Sequence, residues 1–342
     1  MSHEYRNAVD IRNTEKINSI LNALPEYVED FYIHLKARKR STNTMLSYFY
    51  ELNVFFIYVA TLKHREKPSD VTLEDLDSLR LTNIESYISN SEDGIDLSVS
   101  ARRRKLSVLK SFYKYYLCIG SLKNDPTLSA INPKQVAKDV VYLSDSQVSA
   151  LLNCIQNQTG CNDHMKAYNE RLVSRDLAII KVFLGTGMRI SELVGLNTSD
   201  IDTTETGKIY LNIVRKGGDE DKVRVIQPVY DTLADYMEFS RPLLVDSPSE
   251  NAMFVSTRGK RISTNGIRTM LEKYCKAAGL PDNISPHKMR ATFATTVYAQ
   301  TKDVYAIKDA LHHSSIETSK HYISGKEQRI DKAAEAAGVL FQ

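Results

Sequence analysis

From Pro25 to Cys118 apolar and aromatic residues recur three or four positions apart, between residues suited to starting helices. Val28, Phe31, Tyr32 and Leu35 share one face behind Pro25, a residue at home in a first helical turn. Met45, Tyr48, Phe49, Leu52, Phe55 and Phe56 form the stripe of a helix that Ser41-Thr42-Asn43 can cap and that runs to about Val59. A weaker helix follows Thr72, another covers Ile84 to Ile88, and Ser98 opens a long one reaching Cys118. In that last helix Leu106, Leu109, Phe112, Tyr113 and Tyr116 make the apolar stripe, with the arginines opposite. Such stripes must be buried against one another, which predicts a helical bundle. A short leading helix with Ile17, Ile20, Leu21 and Leu24 in register precedes it, over Thr14 to Leu24.

Asp125-Pro126 and Ile131-Asn132-Pro133-Lys134 then interrupt the pattern and predict an exposed connector. Leu143-Ser144-Asp145 starts a new helix beyond it. Further on, Ile209 to Val214 and Val223 to Ile226 have strand composition and flank a glycine-containing hairpin loop, Arg215 to Asp221. A chain of 342 residues is long enough for two domains. The expected fold is mainly α with a small antiparallel β-sheet. Its divisions are a leading helical segment 1–24, a helical bundle 25–122, a linker 123–139 and a mixed α+β domain 140–342 with a C-terminal tail helix.

An apolar content of 42% with 25% charged residues fits a soluble globular class. No uninterrupted apolar run approaches the roughly 18 residues of a membrane span. The polar start, Met1 to Arg6, predicts a cytoplasmic protein. Cys118, Cys154, Cys161 and Cys275 form no CxxC pair, as expected of a reducing compartment. Cys154, Cys161 and His164 match no standard zinc spacing, and no fourth ligand stands out.

The net charge is only +3, but the basic residues are grouped. Lys36, Arg38, Lys39 and Arg40 end one helix, Arg102, Arg103, Arg104 and Lys105 load another, and Arg258, Lys260 and Arg261 mark a loop. Patches of this kind suit a phosphate backbone, with ordinary solvated helix faces as the alternative.

The chemistry concentrates near the C-terminus. Leu311-His312-His313-Ser314 is followed by Tyr322, and Ser285-Pro286-His287-Lys288-Met289-Arg290 lies upstream. Two imidazoles, a guanidinium and a phenol suit attack on a phosphodiester. Deprotonating a phenol of pKa near 10 at pH 7 costs about 4 kcal/mol, so such a site needs cations and a proton acceptor. Gly185-Thr186-Gly187-Met188-Arg189-Ile190-Ser191-Glu192-Leu193 supplies one: two glycines break a helix, Arg189 sits in the turn, and Glu192 is placed to hold it. A buried Arg–Glu pair that merely ties the turn is the competing reading.

These pieces together resemble the tyrosine site-specific recombinases, the family of phage and transposon integrases and Xer-type recombinases, from about residue 24 to 337. The resemblance rests on an arginine in a TGxRxSEL context, a hairpin lysine, a HxxR box, a LGHS box and a terminal tyrosine, in that order. They match Arg189, Lys216, His287 with Arg290, His313 and Tyr322. His312 departs from the pattern, since glycine usually stands there. The stretch Asn157 to Glu170 is longer than the family usually needs.

The resemblance implies a core-binding bundle followed by a catalytic domain. It implies that Arg189 and Arg290 fork onto the scissile phosphate and that His313 donates to it. His287 would take the tyrosine proton, and Lys216 would protonate the leaving 5′ hydroxyl, with Lys222 the competing lysine. Tyr322 would become a 3′-phosphotyrosyl ester on the way to a Holliday junction, a chemistry that requires no metal or nucleotide cofactor. Lys36, Arg38, Lys39, Arg40, Arg102, Arg103, Arg104, Lys105, Arg258 and Lys260 would be DNA contacts. The implied partners are double-stranded DNA with paired inverted-repeat core sites and further copies of the chain in a homotetramer on DNA, monomeric when free. An accessory DNA-bending or directionality protein completes the set, at a nucleoid-associated cytoplasmic location. The segment Lys326 to Val339 would dock on a neighbouring protomer, or in cis. A type IB topoisomerase shares the chemistry, and a DNA-binding regulator with a vestigial site would share the fold.

Overall fold

The computed structural model describes residues 3–89, 97–133, 141–160, 171–215, 218–247, 250–312 and 315. The chain divides into two compact units, Asn7–Ala137 and Lys138–Gln342 together with Met1–Arg6.

The helical unit contains α1 (His3–Leu21), α2 (Val28–Ala37), α3 (Thr42–Leu62), α4 (Leu73–Asp77), α5 (Leu81–Ser89) and α6 (Val99–Cys118), with α1 entering it at Asn7. Its core is the set of stripes expected from the sequence: Phe31, Phe49, Phe55, Phe56, Phe112 and Tyr113 have no exposed surface. Phe31 meets Phe112 edge-on at 5.3 Å between centroids, and Phe55 meets Tyr87 at 5.2 Å. Each such pair is worth about 0.5–1.5 kcal/mol beyond its buried area. The buried phenols find backbone acceptors: Tyr87 donates to the Glu51 carbonyl at 3.1 Å and Tyr113 to that of Leu76 at 3.3 Å. Ser41 and Ser98 accept from the third amide of α3 and α6, and Thr72 with Asp75 forms a reciprocal cap on α4.

Two features differ from expectation. First, α1 begins at His3, well before Thr14, because its first three turns carry no apolar stripe for a periodicity argument to detect. Instead Tyr5 is held by packing and lies 4.9 Å from the Arg261 guanidinium. Second, α3 is long and apolar enough, by length and composition, to cross a membrane. No uninterrupted apolar run of membrane-spanning length exists in it, but its mean hydropathy is high because the face buried in the bundle is aromatic and aliphatic. That pattern is also the pattern of a core helix.

In the C-terminal unit α7 (Asp145–Asn157) starts at Ser144, whose hydroxyl accepts from the Gln147 amide while the Gln147 side chain answers the Ser144 amide. The central element is α8 (Val173–Thr186), with Ala178, Ile179, Ile180, Val182 and Phe183 fully buried. It packs on α7, on α10 (Gln227–Asp235), on α13 (Pro286–Thr301) and on the sheet. The other described α-helices of this unit are α9 (Ile190–Val194), α11 (Arg241–Leu244), α12 (Thr264–Ala277) and α14 (Val304–Leu311). Asp176 is fully buried and accepts from Arg175 Nε at 2.9 Å and Tyr274 Oη at 3.0 Å, so this buried charge is paired.

The sheet is antiparallel in the order β1-β2-β3, with β1 (Ile201–Thr203), β2 (Ile209–Val214) and β3 (Glu220–Val225). β3 starts earlier than its apolar run, since Glu220 and Asp221 pair with Val214 and Ile213 as the polar end of an edge strand. β1 was not expected: three residues with one apolar side chain give no period-2 signal. Cys118 is exposed and Cys154 and Cys275 are buried, and burial pushes the Cys275 thiol up to about 11, as befits a packed hydrophobe.

Candidate active site

The site grows from the end of α8. Gly187 closes that helix with φ 62°, and a Cβ there would lie 2.4 Å from Phe293 Cδ1 and 2.6 Å from Leu311 Cδ2. Backbone conformation and close approach both call for glycine. Arg189, two residues on, has extended backbone and precedes α9. Its amide donates to Glu192 Oε2 at 2.7 Å and its Nη1 to Oε1 at 2.8 Å. Glu192 is buried, whereas a third of the Arg189 side chain is exposed. Burial opposes the Glu192 charge, but the Arg189 amide and the guanidinia of Arg215 and Arg189 outweigh it and hold the carboxyl below the usual glutamate range. The carboxylate thus ties the turn, and the other edge of the Arg189 guanidinium meets no acceptor among the described residues.

Ser285-Pro286 opens α13, with the proline in the first helical turn, placing His287 and Arg290 one turn apart. Arg290 is buried, and its Nη1 donates to the Gly187 carbonyl at 2.6 Å and its Nη2 to the Leu311 carbonyl at 2.8 Å. One guanidinium therefore joins the turn leading to Arg189 and the turn leading to His312. His287 is exposed, yet partial enclosure of its ring and the guanidinia of Arg290, Arg268 and Arg189 hold its imidazole below the usual histidine range. It is thereby biased toward the neutral, proton-accepting form. Arg268, on the exposed side of α12, escaped the sequence argument, having no motif around it.

His312 ends α14 in the left-handed region with φ 50°, and its Nδ1 lies 2.6 Å from Asp221 Oδ2. Asp221 also accepts from Arg215 Nε at 2.9 Å, and Arg215 Nη1 reaches Glu192 Oε1 at 3.2 Å. Arg215 and Asp221 were legible only as parts of a charged hairpin loop. Lys222 pairs with Asp202 at 2.5 Å and is exposed. Lys216, His313 and Tyr322 lie outside the described residues, as do Cys161, His164, the rest of the 161–170 stretch and the tail Lys326 to Val339.

The expected DNA contacts divide by environment. Lys36, Arg38, Lys39 and Arg40 are exposed around the end of α2. Arg104 pairs with Glu51, Lys105 lies 4.2 Å over the Tyr87 ring, Arg102 Nε donates to the Leu97 carbonyl at 3.0 Å, and Arg103 is exposed. Arg258 and Lys260 are exposed on a tight turn, where Lys260 pairs with Asp246 at 3.1 Å. Arg261 instead serves the fold, donating to the Val194 and Leu196 carbonyls at 2.8 and 2.9 Å.

Comparison with known proteins decides the family. The Phage integrase family model matches residues 141–329, and the model for the phage integrase N-terminal SAM-like domain matches residues 28–117. The chain belongs to the phage integrase family. This integrase is a tyrosine recombinase, an enzyme of DNA strand cleavage and rejoining. It is 29% identical over 332 residues to the tyrosine recombinase XerC of Caldanaerobacter subterraneus, covering 92% of this chain and 88% of that protein. It is 27% identical over 305 residues to XerD of Lacticaseibacillus casei, covering 89% and 95%. Among solved structures, the XerH site-specific recombinase bound to its difH substrate in a pre-cleavage complex has a TM-score of 0.64 at 22% identity, over 87% of this chain and 80% of that one. A lambda integrase dimer bound to a COC′ core site gives 0.64 at 14% identity, over 88% and 95%. At such identities the structural likeness concerns the fold.

Proposed function

We propose that this integrase is a site-specific recombinase in which Tyr322 cuts one strand of duplex DNA, holds it as a 3′-phosphotyrosyl ester and passes it to a second duplex through a Holliday junction. The observation that carries the reading is Arg290, whose two terminal nitrogens tie the Gly187 and Leu311 carbonyls together. That one residue joins the turn of Arg189 to the turn that precedes His313, so two of the motif pieces meet at a third.

In this reading the Tyr322 oxygen bonds to phosphorus while its proton passes to His287. The bond from phosphorus to the 5′ oxygen breaks as Lys216 gives that oxygen a proton. Arg189, through the edge that Glu192 leaves open, binds a non-bridging oxygen. Arg290 and His313 stabilise the same charge. The ester keeps the energy of the broken bond, so rejoining consumes no nucleotide. A neutral His287 supports its role as acceptor.

The helical unit, residues 25–122 in this reading, serves as the core-binding domain, and 140–342 as the catalytic domain, joined by 123–139. Exposed Lys36 to Arg40 and Arg103 offer backbone contacts, so binding falls steeply with salt. Arg104, engaged with Glu51, contributes through its exposed side. The functional assembly is a homotetramer on paired inverted-repeat core sites, with the tail Lys326 to Val339 docked on a neighbour, and it works on nucleoid DNA with an accessory bending or directionality protein.

The test is a supercoiled plasmid carrying two copies of an inverted-repeat core site, selected from random duplexes by binding to the chain. Deletion or inversion of the intervening segment is expected. Relaxation of supercoils without exchange, on any sequence, would make the enzyme a topoisomerase, and neither product would make the chain a DNA-binding regulator.

A further inference from the structure

His312 stands where the family pattern has glycine, and the backbone shows why glycine suits the position: φ is 50°. A non-glycine residue there is disfavoured by about 1 kcal/mol. What the imidazole adds is a contact glycine cannot make, Nδ1 to Asp221 Oδ2 at 2.6 Å. That oxygen also takes Arg215 Nε at 2.9 Å. Arg215 Nη1 then reaches Glu192 Oε1 at 3.2 Å, which takes Arg189 Nη1 at 2.8 Å. Five side chains thus form one continuous polar chain from the Arg189 turn, across the β2–β3 hairpin, to the turn that precedes His313.

The middle of this chain is rigid by construction. The Arg215 side chain is nine-tenths buried between two carboxylates, and its Nη2 has no acceptor among the described residues. Its amide donates to the Asp219 carbonyl at 2.8 Å, and its carbonyl accepts from the Gly218 amide at 3.0 Å. Lys216 is the next residue in the sequence. Anchoring Arg215 therefore fixes the backbone up to the residue before the lysine. Burial first, then the Arg215 guanidinium, with Arg290 adding to it, holds the His312 imidazole below the usual histidine range against the pull of Asp221 and Glu192, which favours a neutral ring that donates from Nδ1.

We propose that Arg215, Asp221 and His312 are positioning residues that tie the ends of the β2–β3 hairpin to the turns of Arg189 and His312, so that the Lys216 amine is delivered to the leaving 5′ oxygen. The proposal rests on the reading of Lys216 as the general acid. It assigns His312 to the hairpin rather than to the phosphate.

The test compares Asp221→Asn and His312→Gly with the parent and with Lys216→Ala. The probe is a nicked suicide duplex carrying the core site selected by binding to the chain, made with an ordinary scissile phosphate or with sulfur in place of the bridging 5′ oxygen. A departing thiolate needs no proton. Single-turnover cleavage of the ordinary duplex should fall about 10- to 100-fold in both positioning variants, with DNA affinity unchanged within about twofold. The sulfur duplex should restore both to within about threefold of the parent on that substrate. His312→Gly suits the left-handed backbone, so its melting temperature should not drop. Unchanged cleavage in both variants, or equal loss on the two duplexes, overturns the proposal. If Lys216→Ala itself is not restored by sulfur, the general-acid reading fails first, and the proposal falls with it on a separate line of the same experiment.

Discussion

Replacing Glu192 with Gln removes a charge that three donors share at 2.7, 2.8 and 3.2 Å. The amide oxygen can stay where Oε1 was and keep both guanidinium contacts, but its NH2 then faces the Arg189 amide, donor against donor. Losing that charge-assisted bond costs about 1.5–3 kcal/mol. Neutralising the partner of Arg215, whose side chain is only 10% exposed, adds about 1 kcal/mol. The Arg189 pair, 34% exposed, is screened by solvent and adds little. The sum is about 3 kcal/mol, which for a unit of this size lowers the melting temperature by about 6–12 °C. Scanning calorimetry of the full chain at pH 7 reads it as a shift confined to the transition of the C-terminal unit. Because the Glu192 carboxyl titrates below its ordinary 4.5, its contribution is complete above that pH and is lost as pH falls through the lowered value. Parent and variant should therefore converge on acidification. A shift under about 2 °C at pH 7, or a difference that persists at acid pH, would refute the reasoning.

Gly187→Ala forces a Cβ into the 2.4 and 2.6 Å approaches to Phe293 and Leu311 and into a left-handed backbone, and should cost about 2–4 kcal/mol in chemical denaturation. Arg290→Lys keeps the charge but can satisfy only one of the two carbonyls at a time. It should lower cleavage by about 100-fold or more, which single-turnover kinetics would show. His287 is held below its ordinary 6.5, so a neutral acceptor persists at pH 7 and the cleavage rate should bend downward only below 6.5. A bend at or above 6.5, or one unaltered in His287→Gln, would count against its role.

The helical unit was readable because each helix buries a single broad stripe, and Phe31, Phe49 and Phe112 announce it by spacing alone. The motif helix at Ser285-Pro286 and the glycine break at Gly187 were readable because proline and glycine carry positional meaning. α1 was half legible, since its N-terminal turns are held by Tyr5 against Arg261 and not by an apolar face. The Arg215–Asp221–His312 link was not legible at all. It joins His312 to a hairpin far back in the sequence, and the left-handed backbone at His312 is nothing that periodicity encodes. The fate of Arg290 was also hidden: an HxxR spacing gives the helix face, and only the folded chain shows two carbonyls converging on the guanidinium.

The central claim is that Tyr322 becomes the covalent anchor of a DNA strand. Incubating the enzyme with a nicked suicide duplex bearing the selected core site, then denaturing, should leave protein covalently attached to the 3′ end of the cleaved strand. Peptide mapping should place the adduct on Tyr322, and Tyr322→Phe should abolish it while retaining DNA binding. Covalent complex formed undiminished by Tyr322→Phe, or an adduct on another residue, would contradict the account.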